Sequence, residues 1–146
     1  MNKTIIGSVE QVYSISDSLL SDCYCMANMT RPDQAAAIYA CLRNDVESRR
    51  HPMFVFYDSR GVCGFIKGKF IQPNQSHIDW LFVDSMFRGR GIGQKLMAVY
   101  TDFCRENNVS ELTLYSAPNL RALNFYAKCG FERVGGNYKM RKDLTR

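Results

Sequence analysis

Arg88-Gly89-Arg90-Gly91-Ile92-Gly93 is a run whose residue types suit the holding of an anion by bare backbone. The first N–H groups of a helix have no partner within it, and the helix dipole adds roughly half a positive charge there. Glycines keep side chains away from those amides, and the two arginines of the run add charge. Such a turn, closing a strand and opening a helix, makes a phosphate site. The plainer alternative is a tight turn whose glycines serve only positive φ. Two further residues are placed to move protons. Asp79 lies in a short apolar run just upstream, where a carboxylate is out of place unless paired or functional. Read as a strand, that run puts Asp79 on the same face as Leu81 and Val83. A salt-bridged carboxylate, or one that binds substrate charge, are its other roles. His77, whose ordinary pKa is near neutrality, is a second candidate base, although a histidine at a strand start is more readily just exposed. Asp84 reads as a turn residue.

The elements around the turn follow from periodicity. Ile78 to Val83 is apolar and aromatic-rich, which predicts a strand. Ile92, Leu96, Val99, Tyr100 and Phe103 recur at helical spacing, with Lys95, Ala98, Asp102, Arg105 and Glu106 on the more polar side. Downstream, a second helix is expected from Asn119, its cap, to about Cys129, closed by Gly130. Arg121, Asn124 and Lys128 form a narrow polar stripe there. Leu120, Ala122, Leu123, Tyr126, Ala127 and Cys129 cover the rest, so this helix is expected to be mostly buried. Tyr126 would then meet the sheet, where its hydroxyl needs a partner.

The remaining chain supplies a first strand within residues 3–15, carrying Ile5, Ile6, Val9, Val12, Tyr13 and Ile15. A helix capped at Ser16 or Asp17 is expected to run to about Asn28, with Leu19, Leu20, Cys23 and Ala27 inward. Thr30-Arg31-Pro32-Asp33 breaks the chain and starts a helix to about Arg49, with Ala35, Ile38, Cys41 and Leu42 inward. Met53–Tyr57 and Val62–Ile71 form a hairpin, and 72–76 a loop into the central strand. Glu111–Tyr115, Phe131–Val134 and Tyr138–Lys142 are the last strands. The predicted order is β-α-α-β-β-β-α-β-α-β-β, one domain over 1–146 without repeat or linker.

The glycine spacing is neither a P-loop, which needs Gly-x-x-x-x-Gly-Lys-Ser/Thr, nor a dinucleotide turn with Gly-x-Gly-x-x-Gly and a later acid. Arg-x-x-Gly-x-Gly after a Leu-x-Val strand closely resembles the coenzyme A loop of the GNAT family of N-acetyltransferases. Asn-x-x-Ala-x-x-Phe-Tyr-x-x-x-Gly-Phe, from Asn119 to Phe131, resembles the motif that follows the fifth strand of that family. The likeness is strong over about residues 78 to 133; before that only the element order matches. It implies an α/β fold of the α+β kind, with a mixed central sheet of about seven strands flanked by four helices. It implies an acetyl-CoA-dependent N-acetyltransferase acting on a primary amine by direct attack. Arg88, Gly89, Arg90, Gly91, Ile92 and Gly93 would hold the diphosphate. Leu81, Phe82 and Val83 would pair with the pantetheine in the splay between central and fifth strands, one of their N–H groups polarising the thioester carbonyl. Tyr126 would be the general acid, Asp79 the base or a water-positioner, and Asn119 a pantetheine contact as readily as a cap. An ordinary core tyrosine is the alternative for Tyr126. No covalent enzyme intermediate is implied, so no cysteine is the nucleophile. Many members carry a second acid after the first, where this chain has Trp80, which puts a paired acidic site for a polycation in doubt. Trp80, Phe54, Phe56 and Phe65 read as core, or as walls of an acceptor pocket built by the first two helices and hairpin loops.

Composition fits a single globular domain. The chain has 146 residues, 46% hydrophobic and 23% charged, and a net charge of +5. Dispersed positive charge would steer a polyanion such as coenzyme A, whereas no zinc pattern or basic stripe points to nucleic acid. No run approaches the roughly 20 apolar residues of a membrane span, and the start is too short in apolar residues for a signal peptide. A cytoplasmic protein is expected. Six cysteines occur without Cys-x-x-Cys and with only two histidines, so neither a metal site nor a disulfide framework is expected, and most cysteines read as small core side chains. The expected acceptor is an amine on a small molecule rather than a protein, with a homodimer left open. The other reading is an acyl-CoA-binding sensor or interaction module without turnover.

Overall fold

The structure, a computed structural model, describes residues 7–145. The expected Ile5 and Ile6 of the first strand lie outside the described residues. The elements are β1 (Ser8–Gln11), α1 (Asp17–Thr30), α2 (Pro32–Glu47), β2 (Met53–Asp58), β3 (Gly61–Gln72), β4 (Gln75–Val83), α3 (Ile92–Glu106), β5 (Glu111–Tyr115), α4 (Leu120–Lys128), β6 (Glu132–Arg133) and β7 (Lys139–Asp143). A single 3-10 turn, Ser85–Phe87, separates β4 from α3. Their order is the one the sequence predicts. They build one seven-stranded sheet in the order β1-β2-β3-β4-β5-β7-β6. Among the described residues only β4 and β5 pair in parallel.

Local chemistry sets the boundaries. Ser16 caps α1, its Oγ accepting from the Leu19 N–H at 3.1 Å. Pro32 starts α2, where its missing N–H costs nothing. Asn107 ends α3, and Gly130, at φ 95°, turns the chain after α4. The expected loop at 72–76 is only a tight turn, because β4 begins at Gln75.

Apolar side chains form two cores, one on each face of the sheet. Under α3 lie Phe54, Ile66, Ile78, Leu96, Tyr100 and Leu112 among others. Under α1 and α2 lie Leu20, Cys23, Ile38, Leu42, Val55 and Phe65 among others. The predicted inward faces of α1 and α3 are found there. On α2 the buried stripe is Ala35, Ile38, Leu42 and Val46, while Cys41 is exposed, contrary to expectation. Cys41 sits one step off the stripe, over a polar cavity rather than over the sheet. Of the other cysteines, Cys23, Cys63 and Cys104 are buried, Cys25 is exposed and Cys129 half-buried, so core packing claims half of the six rather than most.

Strict alternation along β4 fails at one place. Ile78 belongs to the α3-side core, yet so do Leu81 and Val83, while Trp80 and Phe82 pack with the α1–α2 core. The change of phase falls at a register shift opposite Asp79, where Lys67 pairs with Trp80 but Gly68 pairs with Ile78. Asp79 is the extra residue of this β-bulge. It points to the α2 side, where its Oδ2 lies 2.8 Å from Lys67 Nζ. Asp79 therefore does not share a face with Leu81 and Val83, as uninterrupted pleating predicts.

Candidate active site

The α3 helix opens on Gly91, whose φ of 81° no L-side chain adopts cheaply, and no side chain caps its first amides. Gly89, at φ 78°, makes the preceding turn of the same hand. Positive φ is thus part of the reason for these glycines, together with the bare amides. Gly93 has a different reason, since a Cβ there would stand 3.1 Å from the Phe125 ring of α4. Arg88 is exposed at the turn. The Arg90 guanidinium lies 5.5 Å from the Phe87 ring, which also carries Arg60 at 4.4 Å. Asp84 is the turn residue expected, accepting from the Met86 N–H at 2.9 Å.

Beside that helix mouth the sheet opens. β4 and β5 are paired only from Gln75–Ile78 to Glu111–Leu114. Beyond Ile78 the β5-side edge of β4 faces no strand among the described residues, so the backbone N–H and C=O groups of Leu81 and Val83, which alternate with those that Asp84 and Phe82 turn to β3, are left for another partner. A cleft of about 710 Å³ fills the splay. It is lined by Leu81, Phe82, Val83, the Arg88 to Gly93 turn except Arg90, and Asn119 and Tyr126 of α4. The structure thus brings the predicted binding residues together.

Helix α4 forms the far wall of this cleft and has no buried residue. The expectation of a mostly buried helix is wrong, because α4 lies along the open splay and packs by one side only, through Leu123, Tyr126 and Cys129. Asn119 caps it, Oδ1 accepting from the Ala122 N–H at 2.9 Å. Tyr126 is half-buried, with its ring edge-on to Phe125 and Phe131. Its hydroxyl has no hydrogen-bond partner among the described residues and is not one of their buried unpartnered atoms, so the expected burial, and with it the need for a protein partner, is not met. Burial, with a smaller contribution from Cys129, pushes this phenol up to about 12. It is protonated throughout the physiological range.

Asp79 stands at the inner end of the cleft, clamped by Lys67 and with Lys69 Nζ 3.7 Å from its Oδ1. Lys67 is 1% exposed and also meets Asp45 of α2 at 3.0 Å. The ammonium lies 4.7 Å from the Trp80 ring. His77 is half-buried rather than exposed, because β4 starts at Gln75, three residues before the predicted Ile78. Its Nδ1 is 2.7 Å from Thr113 Oγ1 on β5, and burial lowers its pKa. A second cavity of about 590 Å³ lies under α2, lined by Cys41, Asp45, His51, Lys67, Lys69 and His77 among others. It shares Gln34, Asp79, Trp80 and Tyr115 with the first. Phe54, Phe56 and Phe65 are core as expected, whereas Trp80 lines both cavities. Lys67, Asp45 and His51 escaped the sequence reading. One signal was available: Lys67 interrupts the apolar strand Val62–Ile71, and a lysine there must be paired.

A model of the acetyltransferase (GNAT) family matches residues 12–131. A protein of Oryza sativa subsp. japonica named probable glucosamine 6-phosphate N-acetyltransferase 2 is 33% identical over 75 residues. That stretch is 50% of this chain and 44% of the rice protein, so the match spans less than half of the relative's length. Among solved structures, the PaiA N-acetyltransferase from Thermoplasma acidophilum in complex with coenzyme A superposes with a TM-score of 0.78 at 20% identity, covering 93% of this chain and 99% of its own. An aminoglycoside 6'-N-acetyltransferase complexed with coenzyme A gives 0.80 at 15% identity, covering 95% and 98%. At such identities these two likenesses speak for the fold. No helix among the described residues is long and apolar enough to cross a membrane.

Proposed function

The chain belongs to the acetyltransferase (GNAT) family, and from that premise we propose that it moves the acetyl group of acetyl-CoA to a primary amine on a small molecule. Acetyl-CoA supplies the acyl group as an activated thioester. The site's own features fit this co-substrate. The uncapped amides of α3 suit a diphosphate, so Arg88 to Gly93 would hold it. The unpaired edge of β4 suits an extended amide chain, so Leu81, Phe82 and Val83 would hold the pantetheine, with Asn119 nearby.

Asp79 receives the amine's proton directly or through a water. Its Oδ2 is committed to Lys67, which leaves Oδ1 to meet the incoming nitrogen. Tyr126 hydrogen-bonds the sulfur as negative charge develops on it. A phenol near 12 is a weaker acid than an ordinary thiol near 8.5. The hydrogen bond therefore carries most of the stabilisation of the departing sulfur. The second cavity, opening onto Asp79, receives the acceptor. The rice relative is named for a small amino sugar, which agrees with a small-molecule acceptor.

One observation carries this reading: an uncapped helix N-terminus and an unpaired strand edge share a cleft with the free hydroxyl of Tyr126. The test is thiol release from acetyl-CoA with a mixed panel of amines, on wild type and Tyr126→Phe. Turnover is expected to fall at least 100-fold, the low end of about 10²–10⁴ for a general acid, with coenzyme A affinity unchanged. Equal turnover would remove Tyr126 from the chemistry. Coenzyme binding without amine-dependent thiol release would favour the sensor module instead.

A further inference from the structure

The charges around the second cavity are balanced in a way that selects its guest. Asp33 is taken by Arg31, whose Nε and Nη2 donate to it at 3.1 and 3.0 Å. Asp45 and Asp79 share one ammonium, that of Lys67, at 3.0 and 2.8 Å. Lys69 keeps spare donors, since its Nζ is 3.7 Å from Asp79 Oδ1, its side chain is 46% exposed, and it makes no hydrogen bond through Nζ among the described residues. Burial holds His51 and His77 toward their neutral forms. Arg31, Lys67 and Lys69 thus match Asp33, Asp45 and Asp79 in number. A polycation entering here would add unpaired positive charge to a matched set, and a polyanion would add unpaired negative charge. A guest carrying both signs leaves the balance intact.

The two signs also have separate seats. Two carboxylates sharing one ammonium can accept from a second, which places the guest's amine at Asp79, on the border with the acetyl-donor cleft. Lys69 then faces the rest of the guest. His51 Nδ1, a buried wall atom with no hydrogen-bond partner among the described residues, offers one more polar contact. We propose that the acceptor is a small dipolar amine carrying a carboxylate or phosphate read by Lys69. This rests on the transferase reading above. The anion would lie within about 9.5 Å of the nitrogen, the 3.7 Å gap extended by a hydrogen bond of about 2.9 Å at each end.

Thiol release from acetyl-CoA is measured with aminoalkyl carboxylates, aminoalkyl phosphates, simple monoamines and polyamines, on wild type, Lys69→Gln and Lys69→Arg. Anion-bearing amines should show at least tenfold higher kcat/KM than the others. Lys69→Gln should cut that preference about tenfold, equal to about 1.4 kcal/mol, while Lys69→Arg keeps most of it. The carboxylate and phosphate arms tell which anion is read. A preference for simple monoamines or polyamines would overturn the proposal. So would an equal loss for every amine in Lys69→Gln. Thiol release with none of them, coenzyme A still binding, would instead refute the transferase reading, and this proposal with it.

Discussion

Replacing Lys67 with methionine tests the arrangement around Asp79 directly. Lys67 is almost wholly buried, and its ammonium joins β3 to α2 through Asp45 and to the bulge through Asp79. Methionine has similar length and no charge, so packing is largely kept while two carboxylates lose their shared partner. Removing one member of a buried ion pair costs about 3–5 kcal/mol. The low end applies here, because the Asp45 and Asp79 side chains keep 29% and 17% of their exposure and water can reach them. A loss of about 3 kcal/mol is a large part of the 5–15 kcal/mol that holds a typical domain together. It corresponds to a fall in Tm of about 10 °C at this chain length. Urea and thermal denaturation followed by circular dichroism would measure it. Trp80, the only tryptophan of the chain, lies against the same ammonium, so its fluorescence reports the site itself. The combined variant Lys67→Met/Asp45→Asn/Asp79→Asn should recover at least half of the loss, since a buried ionic cluster can be exchanged for neutral groups at little cost. A single variant within about 1 kcal/mol of wild type, or a triple variant no better than the single, would refute the reasoning. Lys67 would then not be what holds Asp79.

Two further outcomes rest on the same geometry. Gly91→Ala must place a side chain at φ 81°, which costs about 1–2 kcal/mol of stability, and it should weaken coenzyme A binding in calorimetry because the α3 amides shift; wild-type binding would separate the turn from the ligand. His51 and His77 are both held below their ordinary value of 6.5 by burial. They contribute stability above about pH 6.5 that is lost as pH falls through their lowered folded values, because the unfolded chain takes up protons first. The double variant His51→Gln/His77→Gln should therefore lose less stability than wild type between about pH 7 and pH 5 in urea titrations, and parallel curves would show that neither imidazole is sheltered.

Element order and the binding cleft were legible because their signals are local. Ser16, Pro32, Gly91 and Gly130 mark helix ends by chemistry that acts within a few residues. The cleft residues cluster in two stretches of sequence, Leu81 to Gly93 and Asn119 to Tyr126, and each stretch carries its own spacing. What the sequence hid is whatever depends on a partner far along the chain. Asp79 meets Lys67, 12 residues away, and Lys67 meets Asp45, 22 residues away. Period-two reasoning put Asp79 on the wrong face because a bulge depends on how two strands are paired, which neither strand shows alone. Helix α4 was misread as buried for a related reason. Its composition is apolar enough to be covered, but whether a neighbour covers it depends on where β4 and β5 part.

That parting and the bulge are one event. Pairing of β4 to β5 ends at Ile78, and the extra residue comes immediately after, at Asp79. A bulge bends its strand and increases its twist, so the end of β4 turns away from β5 just where their ladder stops. The same extra residue reverses the phase of the last four positions of β4. Leu81 and Val83 are sent to the α3 side, and Trp80 and Phe82 to the α1–α2 side. With strict alternation continued from Ile78, Asp79 would stay on the α2 side, but Trp80 and Phe82 would be turned into the α3 core and Leu81 and Val83 toward α1 and α2. The slip leaves the carboxylate on the face where Lys67 meets it and brings Trp80 to that same face, where the second cavity opens. A cost is incurred, since the bulge loses ladder hydrogen bonds and Lys67 must be desolvated. Two consequences offset it: a strand edge freed beside the α3 amides, and Trp80 set next to Asp79 on the border between two cavities. The two cavities then touch at Asp79 and Trp80, where an extra residue interrupts the pleat.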